Sequence, residues 1–248
     1  MNIKTAAVVL SALGLPVFAL ADVAILTSAR DNTLYQSTAG DISNGAGSGM
    51  FAGRNAAGSN SIRRALVWFD ITAQIPAGST ITSVSLSLYN SAANINEDSI
   101  ALHRALEDWG EGSSAASMGG GSGAPATAGD STWLFRSFPA TPWSVPGGSF
   151  NPVATALANV ADSGTYHWNS AGLVTDIQSY LDSPATNFGW IILGNESASS
   201  TAKRFATREE TIADRRPMLT VEFTPIPAPA GAAILSLAAI AALNRRRD

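Results

Sequence analysis

The run Ser83-Val84-Ser85-Leu86-Ser87-Leu88-Tyr89 alternates apolar and polar residues without a break. A period of two places the leucines and the valine on one face and the serines on the other. Only a strand with one face buried produces that arrangement. Arg64-Ala65-Leu66-Val67-Trp68-Phe69-Asp70 is apolar on both faces and reads as a more deeply buried strand. Between the two, Ile75-Pro76-Ala77-Gly78 has turn chemistry. Further strands are expected over 100–106, 165–168, 190–193, 204–207 and 217–223, with turn residues between them. One segment departs from the pattern. Leu173, Val174, Ile177, Tyr180 and Leu181 recur at helical spacing until Ser183-Pro184 stops them, which predicts a short amphipathic helix over about 173–182. The Gly-, Ser- and Ala-rich stretch 110–130 predicts a long loop, either a mobile insertion or a lid. The expected class is all-β.

The two ends are expected to serve export. Lys4 precedes an apolar run from Ala6 to Leu20, and Ala19-Leu20-Ala21 places small residues where a signal peptidase reads them. These are the three parts of a secretory signal, with Asp22 as the mature start. At the other end the uncharged run Ala228–Leu243 has 16 residues, or 18 counted from Ile226, and Arg245, Arg246 and Arg247 follow it. A bilayer core asks for about 20 residues, so this run spans only marginally. The arginines would stay on the cytoplasmic side. A temporary stop in the inner membrane during export suits it better than a lasting anchor. The order of prolines, apolar helix and arginine cluster resembles the PEP-CTERM class of sorting signals. Here Pro225-Ile226-Pro227 and Ala228-Pro229-Ala230 stand where the usual motif is Pro-Glu-Pro. The resemblance covers about the last two dozen residues. It implies an exosortase-type partner and a Gram-negative-type host that makes extracellular polymers.

These assignments divide the chain into a signal (1–21), a domain (22–224) and a sorting segment (225–248). Setting aside Lys4, the three terminal arginines and Asp248 leaves 11 of the 15 basic and 18 of the 19 acidic residues, a balance of −7. A nucleic-acid partner needs a basic face, so that class is excluded. About two hundred residues suffice for one sandwich- or barrel-sized domain. The chain has no cysteine, which removes thiol nucleophiles, redox pairs and thiolate metal sites.

Six tryptophans stand out. Trp68 and Trp190 lie inside apolar strands and read as core. Trp109, Trp133, Trp143 and Trp168 lie in polar or Gly/Pro-rich surroundings. They are either platforms that stack on sugar rings or plugs under the loops at the sandwich ends. His167, between Tyr166 and Trp168, is a candidate sugar hydrogen-bonder, and His103 is expected to face solvent or Trp109. Asp31, Asn32, Asp41 and Asn44, taken to lie in Gly-rich loops, are either oxygen ligands of a structural calcium or ordinary turn residues. No other cofactor is called for. Glu107, Asp108 and Glu111 flank Trp109, while Glu209, Glu210 and Asp214 follow Arg208. Paired carboxylates serve glycoside hydrolysis, but neighbouring arginines make structural ion pairs the alternative. There is no nucleophile elbow, phosphate loop or zinc-helix motif.

The order of motifs through the middle of the chain resembles DNRLRE-type domains of secreted bacterial proteins. It runs from Asp31-Asn32-Thr33-Leu34 and Phe51-Ala52-Gly53-Arg54 through Arg63–Asp70 and Asp108-Trp109-Gly110-Glu111 to Arg216-Pro217-Met218-Leu219. The six-letter string that names those domains is not present intact. The resemblance implies a jelly-roll-type β-sandwich similar to carbohydrate-binding modules. The expected function is therefore a non-catalytic surface protein that binds or organises extracellular polysaccharide. A purely structural envelope or matrix protein and a polysaccharide-cleaving enzyme are the alternatives.

Overall fold

The computed structural model describes residues 20–91 and 96–226. Its strands are β1 (Asp22–Thr27), β2 (Arg30–Tyr35), β3 (Ile42–Ser43), β4 (Gly49–Arg54), β5 (Ile62–Trp68), β6 (Thr80–Asn90), β7 (Asp98–Arg104), β8 (Ala124–Pro125), β9 (Phe135–Ser137), β10 (Thr141–Pro142), β11 (Ala156–Val160), β12 (Gly164–Asn169), β13 (Trp190–Leu193), β14 (Lys203–Ala206) and β15 (Met218–Thr224). One α-helix, α1 (Ala171–Asp182), joins β12 to β13. The all-β expectation holds.

Two antiparallel sheets face each other. In the first, β1, β15, β6 and β12 lie side by side, and β14 continues the β15 edge of β6 at Asn90. The second runs β2-β5-β13-β7-β11. Strand β4 belongs to both, pairing with β14 through Gly49–Ala52 and with β5 through Gly53 and Arg54. A strand that changes sheets must bend at the corner. Gly53 supplies the bend, with φ of +119°. A Cβ there would lie 2.9 Å from Thr201 O and from Ala202 Cα, so backbone leaves no room for a side chain.

Inward residues of both sheets form one core. Val84, Leu86, Leu88, Trp168, Phe205, Leu219 and Val221 come from the first sheet, and Ala65, Val67, Ile100, Leu102, Trp190 and Ile192 from the second. Helix α1 closes one end of the sandwich, as its apolar spacing requires, burying Leu173, Ile177, Tyr180 and Leu181. Ser170 Oγ accepts the Leu173 N–H at 3.0 Å and caps its first turn. The side chain of Gln178 accepts from Ile81 N at 2.9 Å and donates to Ser79 O at 3.2 Å, covering the start of β6 in place of a neighbouring strand.

The sheets differ on their outer faces. Leu34, Leu66, Ala105, Trp109, Trp143 and Ile191 form a second apolar cluster outside β2, β5 and β13. Trp109 and Trp143 come from the long segment between β7 and β11, which folds back over the second sheet as a third layer. The stretch 110–130 is part of it and is tied down. Tyr35 Oη donates to Gly120 O at 2.7 Å, Ala46 N to Ser114 O at 2.8 Å, and Ala116 N to Asn44 Oδ1 at 2.8 Å. The outer face of the first sheet has no such layer among the described residues.

The seven strands expected from the sequence are β5, β6, β7, β12, β13, β14 and β15, and α1 begins two residues earlier than expected. β1, β2, β4 and β11 were not anticipated. Strand β2 corrects one reading, since Asp31 and Asn32 stand on a strand rather than in a Gly-rich loop. Among the described residues no helix is long and apolar enough to cross a membrane. The signal segment through Ala19, and Pro227, Pro229, Arg245, Arg246 and Arg247 with the expected apolar helix, lie outside the described residues. Ala21 is exposed just before β1 and Pro225 just follows β15. Because Asp22 pairs with Phe223, the start of β1 and the finish of β15 lie at the same end of the first sheet.

Candidate functional site

The expected aromatic platforms resolve into structure. Trp168 is fully buried, donates its indole N–H to Ile100 O at 2.9 Å, and packs edge-on against Phe205 at 5.9 Å. It alternates inward with Leu86 opposite, so its polar sequence neighbours point outward and it belongs to the core. Trp109 is 2% exposed and donates to Phe188 O at 2.9 Å. Trp143 is 5% exposed and donates to Thr132 O at 2.9 Å. Trp133 is half-buried, with the Arg64 guanidinium 4.9 Å from its ring. Trp109, Trp143 and Trp168 are thus spent on the core or the third layer, and Trp133 packs against the third-layer cluster with Arg64 beside its ring. Trp190 is core as read, bonded through its N–H to Asp176 Oδ2 at 3.0 Å. Trp68 is not: it faces outward, half-buried, with Arg30 4.6 Å from its ring and its N–H on Asn187 O at 2.8 Å. Arg30 also lies 5.0 Å from the Trp109 ring, so one guanidinium covers both indoles.

The acidic candidates are also engaged. Glu107 accepts from Ser144 N at 3.0 Å, Ser144 Oγ at 2.8 Å and Ser149 Oγ. Burial works to raise its pKa, but these three donors outweigh it and hold the carboxyl below its ordinary value. Asp108 pairs with Arg30 at 3.1 Å. Glu111 receives a two-pronged contact from Arg208, at 2.7 and 2.8 Å, and also accepts from Asp31 N at 2.9 Å. Glu209 lies 3.0 Å from Arg208 Nε, and burial raises its pKa despite that guanidinium. These are structural ties across the loops that flank β2. They match the ion-pair alternative, and none presents a free carboxylate pair across a cleft.

The four calcium candidates do not converge. Asn32 Oδ1 accepts from Thr33 N, Ser43 Oγ and Asn44 N, while its amide donates to Ser43 Oγ and Glu111 O. Asn44 spends its amide on Gly49 O and Ala116 N. Asp41 is exposed and accepts from Ser37 Oγ at 3.3 Å. Asp31 is buried and accepts from Ser28 Oγ at 3.1 Å and Arg208 N at 2.9 Å. Burial, reinforced by Glu209 and Glu111 and opposed by the Arg208 N–H, raises its pKa well above the ordinary value. Among the described residues no group of three or more His, Cys, Asp or Glu side chains is arranged to hold a metal ion.

The uncovered outer face of the first sheet remains. Register places its side chains in rows. Ile25, Thr220, Ser85 and Asn169 lie across β1, β15, β6 and β12. The next row is Thr27, Met218, Ser87 and His167, and beyond it Tyr89 faces Thr165. His167 is exposed, with Nδ1 2.8 Å from Ser87 Oγ. Arg215 lies 4.4 Å from the Tyr89 ring. Among the described residues the side chains of Ser83, Ser85 and Asn169 have no hydrogen-bond partner in the protein. Of the residues expected to contact sugar, only His167 sits on this face. Its hydroxyl rows were legible in the serine alternation but were not read as a site. His103 is buried, unlike its expected position: its Nδ1 lies 2.8 Å from Asn151 O and its ring meets Phe150 edge-on at 5.2 Å. No protein-family model matches this chain, and no curated protein matches it either.

Proposed function

We propose that this is an exported, non-catalytic surface protein that binds or organises extracellular polysaccharide through the outer face of its first sheet. The observation that carries this reading is the uncovered row of hydroxyl and amide side chains, Ser83, Ser85 and Asn169, beside His167. Hydroxyls that point to solvent without internal partners suit a hydroxyl-rich polymer, because each can donate and accept. A catalytic role lacks support, since Glu107 is held by serines and Asp108, Glu111 and Glu209 are held by arginines. The reading needs no cofactor, and calcium is not required to hold the loops that Asn32 and Asn44 already lock.

In this reading the signal is removed after Ala21 and the tail passes through the inner membrane on its way to an exosortase-type enzyme. The start of β1 and the finish of β15 at one end of the first sheet suits holding the domain at a surface from that end. The test is a glycan array probed with the purified protein and with His167→Ala. Binding to polymer that the variant weakens is expected, and binding to no glycan would sink the reading. Tryptophan fluorescence is a poor reporter here, because Trp109, Trp143, Trp168 and Trp190 are already buried.

A second reading, a structural matrix protein that self-associates, is favoured by edge strand β1. It exposes Val23 and Ile25 at 53% and 55%, and among the described residues no strand pairs with its outer edge. Concentration-dependent sedimentation that Ile25→Lys abolishes would favour it.

A further inference from the structure

We infer that the polysaccharide site extends into a groove along α1, and that the groove selects uncharged sugar chains over acidic ones. This rests on the polysaccharide reading above and names its substrate class. Two hollows of about 510 Å³ each meet at Val174 and Thr175 where α1 crosses the start of β6. They open because β12 stops at Asn169, opposite Ser85, and among the described residues no strand neighbours β6 on that side over Thr80–Val84. Gln178 fills only the first part of that gap. Ser83 and Asn169 belong to the groove wall as well as to the open face, so the groove and the hydroxyl rows are continuous.

The chemistry of the lining sets the class. Ile81, Val84 and Val174 give an apolar floor that suits the C–H face of a sugar ring. The walls carry hydroxyl and amide side chains that suit ring hydroxyls. The one charged residue in the lining is Asp182, and it is an acid. Arg104 is outside the lining, although it donates to the wall residue Ser179. It is committed to Asp176 at 3.6 Å, Ser179 Oγ at 3.1 Å and the Tyr180 ring at 4.6 Å. A uronate or sulfate group entering the groove would find no cation, would face Asp182, and would approach a domain with a balance of −7. A desolvated charge without a partner is strongly disfavoured.

The test is electrophoresis of the full-length protein through gels containing dextran, glucomannan or alginate. Thr175 is exposed on the helix and lines both hollows, so Thr175→Trp fills the groove without disturbing the core. Retardation by a neutral polymer, at least tenfold weaker for Thr175→Trp and absent in alginate at low salt, is the expected result. Retardation by alginate that salt removes would overturn the charge argument. Retardation by a neutral polymer that Thr175→Trp leaves unchanged while His167→Ala abolishes it would overturn the groove and keep the open face. No retardation by any of the three would overturn the polysaccharide reading together with this inference.

Discussion

The outer faces of the two sheets obey one alternation and reach opposite ends. On β5 and β13 the outward residues include Leu66, Trp68, Ile191 and Leu193, too large and apolar to be left in water. The segment between β7 and β11 supplies the cover, with Trp109, Trp133, Trp143 and Phe150 laid onto the strands. Two arginines are threaded through it, Arg30 between Trp68 and Trp109, and Arg64 between Trp133 and Phe150. On β6 the outward residues Ser83 and Ser85 reach water and Ser87 is satisfied by His167, so these small hydroxyls call for no apolar cover. Large apolar and aromatic residues on the outer face of the second sheet draw an added layer over it, while the hydroxyl-rich face of the first stays open, where the proposed reading seats its polymer.

That contrast can be broken most severely at Trp109. Trp109→Ala removes a buried indole and its bond to Phe188 O, and should cost about 3–5 kcal/mol in urea unfolding. A loss below about 1 kcal/mol would show that the third layer does not stabilise the fold. Glu196→Ala strips Arg64 of its two bonds at 2.7 and 3.0 Å and should cost about 1–3 kcal/mol in the same measurement. The same change should loosen Trp133, detectable as increased quenching by iodide.

Asp31 gives a smaller effect of opposite sign. Its carboxyl is held above the ordinary Asp range in the folded protein, so the folded state binds that proton more tightly than the unfolded chain. The stability this supplies is complete below the ordinary Asp range and is lost as pH rises through the raised value. Asp31→Asn cannot ionise and keeps an oxygen for Ser28 and Arg208. Its melting temperature should exceed that of the parent at pH 7, with the gap closing towards pH 4. A gap that widens on acidification would overturn the assignment. The smallest expected change is Ser85→Ala on the open face, within about 0.5 kcal/mol in stability. Yet it should weaken polymer retardation in the gel, which no third-layer substitution of equal stability should do.

How much of this was readable varies by residue. The strand over 83–89 and the helix stopped by Ser183-Pro184 were legible because their patterns are local and one face of each is buried. Strand β2 was missed because Arg30-Asp31-Asn32-Thr33 is polar, and polar residues ordinarily mark turns. It is a strand because Asn32, Asp31 and Thr33 find their partners in Ser43, Arg208 and Phe51, residues distant in the chain. Trp168 stayed open between platform and plug for a related reason: Thr165, His167 and Asn169 around it point to the opposite face.

The all-β class, helix α1, the cysteine-free acidic character and the strand face that carries serines were all legible in the chain itself. Each of these follows from composition or from a period read over a few residues. The tertiary structure decided which tryptophans are covered, which carboxylates are spent on arginines, and that the groove beside α1 exists at all. Those outcomes depend on how residues 105–155 fold back over the second sheet and on where β12 ends against β6. Contacts between residues far apart in the chain set them, and no local period encodes such contacts.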